Sequence, residues 1–126
     1  MLGILRHMRL RILHNGHVHQ QNPHWHLWIQ RDGSLLGEII GRQSEFKCIQ
    51  EFKRRLDDAD TATLFSEAES MRGHFTSRPL QSDDVMIEVS GDGAQYFYAV
   101  PLEQQVSATV APFFRVLNQI LEPYAS

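Results

Sequence analysis

The sequence predicts an α+β fold in which an antiparallel sheet of four to five strands packs one face against two main helices. Short segments alternate apolar and polar residues, which is typical of strands with one buried face. Asp32-Gly33 and Gly91-Asp92-Gly93 separate pairs of such segments, as hairpin turns do. Two other segments repeat apolar residues at helical spacing. The chain has 126 residues, so we expect a single domain, residues 1–126.

Three strands are predicted in the first third of the chain. Met8–Leu13 comes first and precedes Asn15-Gly16, a turn sequence. Trp25–Gln30 and Leu35–Ile40 follow and form a hairpin around Asp32-Gly33. Alternation places these side chains together on one face of their own strand: Leu10 with Ile12, and Trp25 with Leu27 and Ile29.

The first main helix is predicted from Ser44 to Leu56. Ser44 is a suitable N-cap, and Cys48 lies beside the apolar stripe, where a structural thiol is expected rather than a nucleophile. The stripe itself consists of Phe46, Ile49, Phe52 and Leu56. Three aspartates are then expected in a solvated loop after the helix: Asp57, Asp58 and Asp60.

The second half of the chain repeats this layout. A short extra helix is indicated by the spacing of Leu64, Ala68 and Met71. Val85–Val89 and Tyr96–Val100 predict a hairpin, and Pro112 fits the first turn of a closing helix. The stripe of that helix is Phe113, Val116, Leu117, Ile120 and Leu121. The chain is therefore interpreted as two hairpin–helix units, at about residues 25–56 and 85–121.

The most unusual feature is a cluster among the seven histidines. His17-Val18-His19 and His24-Trp25-His26 flank Gln20–Pro23, which can form a turn. If that turn closes a hairpin, His19 is opposite His24 and His17 is opposite His26, so the four imidazoles share one face. Neutral imidazoles bind zinc, copper and nickel. The candidate metal ligands are therefore His17, His19, His24 and His26.

The competing interpretation is a histidine-rich hairpin that meets solvent or a partner protein. Histidine is amphipathic, and the spacing matches no established zinc motif. Trp28, on the same predicted strand as His26, adds an aromatic side chain of the kind that dominates interfaces. The candidate binding residues are accordingly His17, His19, His24, His26 and Trp28.

His24-Trp25-His26 also resembles the His–hydrophobic–His strand of endonucleases that nick single-stranded DNA. The resemblance implies a divalent metal on the two histidines beside a tyrosine nucleophile on a helix. Here the tyrosines are Tyr96 and Tyr98, in a predicted strand, and Tyr124, after the terminal proline. This hypothesis is therefore disfavoured.

Composition excludes several classes of function. Twelve Lys and Arg against fifteen Asp and Glu give a net charge of -3, which argues against a nucleic-acid partner. No secretory signal or apolar stretch of about 18 residues is found, so we expect a cytoplasmic protein with no membrane partner. One cysteine allows no internal disulfide. No nucleophile elbow or phosphate-binding glycine loop occurs, so no enzymatic activity or organic cofactor is expected.

The order of several segments carries a family resemblance. They are the strand Arg9–Leu13, the helix end Phe52–Leu56, Asp60-x-x-x-Leu64, the hairpin Asp84–Val100, and the closing helix with Leu117, Ile120 and Leu121. Together they resemble the emfourin family of small bacterial inhibitors of thermolysin-like metalloproteases. The resemblance implies a protein that acts by binding a protease. Asn15-Gly16 stands in place of the family's early Gly-Gly pattern, and no functional residue is carried over.

The preferred hypothesis is a small non-enzymatic module that binds another protein, as an inhibitor or immunity-type protein does. The alternative is a metal-binding or metal-dependent protein that holds zinc or a similar divalent ion on the histidine cluster. A third hypothesis is a subunit that pairs its sheet edge with a second copy to form a homodimer.

Overall fold

The computed structural model describes residues 8–14, 24–40, 48–91 and 94–124. Their helices and strands, in chain order, are β1 Arg9–His14, β2 His24–Gln30, β3 Ser34–Ile40, β4 Cys48–Arg55, α1 Asp58–Met71, β5 Val85–Gly91, β6 Ala94–Val100 and α2 Ala111–Leu121. Short 3-10 turns precede and follow α2.

The six strands form one antiparallel sheet in the order β4-β3-β2-β1-β5-β6. β1 to β4 are neighbours in sequence order, and β5 with β6 adds to the other side of β1. The α+β class, the antiparallel sheet and the presence of two helices are confirmed. The predicted count of four to five strands is wrong, because the sheet has six.

Both helices lie on the same face of the sheet. The Tyr98 hydroxyl of β6 donates to the Ala68 carbonyl of α1 at 2.5 Å, and Arg54 Nη1 of β4 donates to the Ile120 carbonyl of α2 at 3.0 Å. Leu10 and Ile12, in the centre of this face, are fully buried. The hydrophobic core therefore lies between the sheet and the two helices.

Residues 48–55 form strand β4, so the helix predicted from Ser44 to Leu56 is wrong over that range. Phe52 is buried, while Glu51 and Lys53 are exposed on either side of it. Residues four apart, such as Phe52 and Leu56, share a face in a helix and also in a strand. Residues 48–55 form a strand because they pair with β3. The described part of the unit predicted at residues 25–56 therefore contains strands and not the predicted helix. Ser44 and Phe46 lie outside the described residues.

α1 starts where a loop was expected. Asp57 is its N-cap, since Asp57 Oδ1 accepts a hydrogen bond from the Asp60 amide at 2.7 Å. Asp58 and Asp60 occupy the first turn, where negative charge stabilises a helix. The prediction that these aspartates follow a helix as a loop is wrong. The helix predicted around Leu64, Ala68 and Met71 is confirmed and spans 14 residues.

The second hairpin–helix unit matches its prediction. β5 and β6 pair with Val85 opposite Val100 and Ile87 opposite Tyr98. Pro112 lies in the first turn of α2, as predicted, and the buried stripe of α2 includes Phe113, Leu117 and Ile120. Among the described residues, neither helix is long and apolar enough to cross a membrane.

Gly37 of β3 leaves the space that Phe52 fills. A Cβ atom added at Gly37 would overlap Cζ of Phe52, and that ring stacks on Tyr124 with 4.0 Å between centroids. We expect Gly37→Ala to lower the free energy of unfolding by about 1–3 kcal/mol, because an overpacked core must shift. Urea denaturation measures the loss.

Gly73→Ala is the matched control. No heavy atom lies within 4 Å of a Cβ at that position. We expect no loss, or a gain of up to about 1 kcal/mol from the smaller entropy of the unfolded chain. If both variants lose the same free energy of unfolding, overlap with the Phe52 ring is not what destabilises Gly37→Ala.

Candidate functional site

The face of the sheet opposite the helices carries the candidate site. We call it the open face and define it by two rows of residues that lie opposite one another in strand register. The first row is Lys53, Leu36, Trp28, Arg11, Glu88 and Phe97, and the second is Glu51, Glu38, His26, Leu13, Met86 and Ala99. Neither α1 nor α2 covers it, since both pack on the other face, although Met86 and Ala99 at its β5–β6 end are buried.

Arg11 is the centre of a polar network across four strands of the open face. Its Nε donates to His26 Nε2 at 2.7 Å, and its Nη1 lies 3.4 Å from Glu88 Oε1. Glu88 Oε2 in turn accepts from Gln95 Nε2 at 3.1 Å. Trp28 stacks on the His26 ring, with 3.8 Å between the ring centroids. The network therefore fixes a guanidinium, an imidazole and an indole in contact.

His26 is held in its neutral form. Burial lowers its pKa from 6.5 to about 4, with a further contribution from the Arg11 charge that Glu88 partly offsets. A neutral imidazole can accept a hydrogen bond on Nε2 only when its proton is on Nδ1. The contact with Arg11 thus selects the tautomer as well as the charge.

The structure brings together two of the predicted site residues, His26 and Trp28. Leu13 is the β1 residue opposite His26, and Glu38 is the β3 residue opposite it, so the prediction that His17 lies opposite His26 is wrong. His24 belongs to β2 and lies opposite Ile40 in the backbone register.

His17 and His19 lie outside the described residues, as does the side chain of His24. Convergence of the four imidazoles therefore stays a prediction. Within residues 8–14, 24–40, 48–91 and 94–124, no group of three His, Cys, Asp or Glu side chains is arranged to hold a metal ion. A metal on His26 Nε2 would have to displace Arg11, whose positive charge opposes a second cation there. Zinc titration of the chain and of a variant with all four histidines changed to alanine tests the metal hypothesis.

The tyrosines of β6 do not join His26. Tyr98 lies opposite Ile87 and Tyr96 opposite Val89, both on the helix-covered face. The Tyr96 hydroxyl donates to Glu69, and burial raises the pKa of Tyr96. Neither tyrosine can act as a nucleophile beside His26, because the sheet separates them.

A groove of about 950 Å³ lies on the helix-covered face, between the ends of the strands and α2. His14 stacks on Trp25 in this groove, and its Nε2 lies 3.4 Å from Asp83 Oδ1. Phe114 and Leu117 of α2 form part of the opposite wall. Sequence reasoning missed His14, although it continues the alternation of Leu10 and Ile12.

Sequence reasoning also missed Arg11 and Glu88. Alternation of Leu10 and Ile12 could have placed Arg11 on the opposite face of its strand. No local pattern shows that β5 pairs with β1, and that pairing puts Glu88 opposite Arg11.

We expect His26 to titrate near pH 4 in the folded protein, which NMR of its ring protons measures. In Arg11→Met the midpoint should rise but stay below 6.5, because burial is the larger cause of the shift. A complete return to 6.5 would show that Arg11, not burial, dominates. The folded pKa lies below the unfolded one, so His26 contributes stability above pH 6.5 that is lost as the pH falls towards 4.

Comparison with known proteins adds no assignment to this geometry. No protein-family model matches the chain, and no curated protein matches it. The resemblance to the emfourin family therefore stays a prediction.

Proposed function

We propose that this chain is a cytoplasmic, non-catalytic module that binds another protein, as an inhibitor or immunity-type protein does, and that it binds through the open face around Trp28. The observation that carries the proposal is the contact of Trp28 and Arg11 with His26 on a sheet face that no described helix covers. Tryptophan and arginine are the residues most enriched among those that dominate binding energy.

The network lowers the cost of binding. Arg11 is held between His26 and Glu88 before any partner arrives, and Trp28 is stacked on His26. Ordering a free side chain at an interface costs about 0.5–1.5 kcal/mol, so a side chain that is already fixed retains more of its contact energy. Phe97, 41% exposed at the far end of the first row, adds apolar area.

The charges of one groove beside Trp28 specify the partner, since Glu38 and Glu51 of the open face do not line that groove. A groove of about 700 Å³ extends over Trp28 and Leu36, and its lining includes the cations Arg9, Arg11 and Lys53. Glu88 is the carboxylate among the described lining residues, and it is already paired with Arg11. This region is basic although the whole chain carries a net charge of -3. The partner should therefore present an apolar side chain flanked by carboxylates.

Selection of displayed random peptides on the purified chain tests this proposal. We expect enrichment of peptides that combine Asp or Glu with an aromatic or aliphatic residue. Trp28→Ala should weaken their binding by about 30-fold or more, as loss of a central anchor does. Arg9→Glu should weaken it by about 3- to 10-fold, and added salt should reduce the difference from wild type.

Leu102→Ala is the control, because Leu102 is 56% exposed and lies outside the open face. We expect it to leave peptide binding unchanged. Enriched peptides that are basic, or that bind Trp28→Ala and Arg9→Glu as tightly as wild type, would refute the assignment of this surface. Arg9 is itself exposed, so its variant tests binding without disturbing the core.

A further inference from the structure

The two edges of the sheet differ in how they are covered. At the β6 edge, the Ala99 amide donates to the Thr76 carbonyl at 3.2 Å, and Ser77 Oγ donates to the Phe97 carbonyl at 2.5 Å. β4 forms the other edge, with β3 on one side and no strand of the described chain on the other. An uncovered edge presents backbone groups that can pair with another strand.

The register with β3 fixes which backbone groups of β4 point outward. The Leu56 amide donates to the Gly33 carbonyl at 2.9 Å, so Leu56 points its backbone towards the β3 side. Backbone groups alternate in direction along a strand, and Phe52, an even number of residues away, points the same way. Glu51, Lys53 and Arg55 therefore point their backbone groups away from β3.

The order of charges on this edge is self-complementary. In a symmetric antiparallel pair, an axis at Phe52 places Glu51 of each copy opposite Lys53 of the other. An axis at Glu51 places two glutamates opposite each other, and an axis at Lys53 places two lysines opposite each other. If the register between the two β4 strands shifts by one residue, backbone groups that point outward in one copy face groups that point towards β3 in the other. The hydrogen bonds between the strands are then lost. Among these registers, the one centred on Phe52 gives opposite-charge pairs with no like charges directly opposed.

We infer that two copies of this chain pair through their β4 edges, antiparallel and centred on Phe52, to form a continuous twelve-stranded sheet. Charged edge residues usually discourage pairing. In β4 the exposed side chains of Glu51 and Lys53 are ordered so that they attract a second copy. The inference concerns the edge and does not rest on the Trp28 surface.

The expected dimer is weak. Its contact is one pair of short strands, smaller than the interfaces of stable dimers, so it should form only at high micromolar concentration. Sedimentation velocity over a concentration series measures it. We expect Glu51→Lys and Lys53→Glu each to raise the dimer dissociation constant by about 10-fold or more, because each opposes like charges. The double exchange E51K/K53E should restore dimerisation close to wild type.

Two charge-matched controls keep the same change in net charge away from the edge. Glu103→Lys matches Glu51→Lys, and Arg115→Glu matches Lys53→Glu; both control residues are exposed outside β4. We expect neither to change dimerisation. A wild-type chain that stays monomeric at every concentration overturns the inference, and so does a double exchange that fails to restore pairing.

Amide hydrogen exchange provides a second measurement. The outward amides of Glu51 and Lys53 should exchange quickly in dilute protein and slowly when the dimer forms. The inward amide of Phe52, paired with β3, should be protected at both concentrations. Dimerisation without new protection at Glu51 and Lys53 would place the interface elsewhere and contradict the inference.

Discussion

The alternation of β1 is the constraint on which both faces of the molecule depend. β1 lies between β2 and β5 in the middle of the sheet. Leu10 and Ile12 are fully buried against the helices, so Arg11, which stands between them, must point to the open face. A slip of one residue would expose both aliphatic side chains and bury a guanidinium. The core and the candidate binding surface are therefore two consequences of one register.

The Arg11 network contributes to the position of side chains more than to stability. The Arg11 side chain is 39% exposed and that of Glu88 is 18% exposed, so water screens their attraction. Partly exposed ion pairs of this kind add little to the free energy of folding. The hydrogen bond to His26 has a more specific effect, because it holds Arg11 on the imidazole ring that also stacks on Trp28. A surface arginine that is held in one orientation but adds little to the free energy of folding is better suited to binding a partner than to stabilising the fold.

Local patterns predicted most of the fold, and pairing over long range decided the rest. The hairpin β5–β6 and helix α2 were predictable because turns, alternation and an apolar stripe all lie within short segments. β4 was missed because Phe52 and Leu56 share a face in either structure, and only contact with β3 distinguishes them. Asp57 was predicted in a loop after a helix, because residues 44–56 were predicted to be helical. Its role as the N-cap of α1 can be recognised only once the start of α1 is known.

The sequence predicts which face of β2 carries the candidate site residues, but not which residues of the neighbouring strands lie opposite them. Alternation correctly places His26 and Trp28 on one side of β2. The predicted opposition of His17 to His26 failed because Leu13, four residues earlier, takes that place. His26 and Trp28 are two residues apart in β2, so they share a face whichever residue of β1 lies opposite. The register itself depends on the length of the connection from β1 to β2, and no local pattern gives that length.

Lys53 links the two proposed surfaces. It lines the groove beside Leu36, and in the β4 pair it faces Glu51 of the second copy. One ammonium group cannot neutralise both that carboxylate and a carboxylate of an acidic partner, and Glu51 of the second copy would also repel the partner from the groove. Dimerisation and partner binding should therefore oppose each other. Linkage makes the effect reciprocal: dimerisation weakens binding of the acidic partner, and the partner weakens dimerisation by the same factor. In such a chain, the monomer is the form that binds the partner.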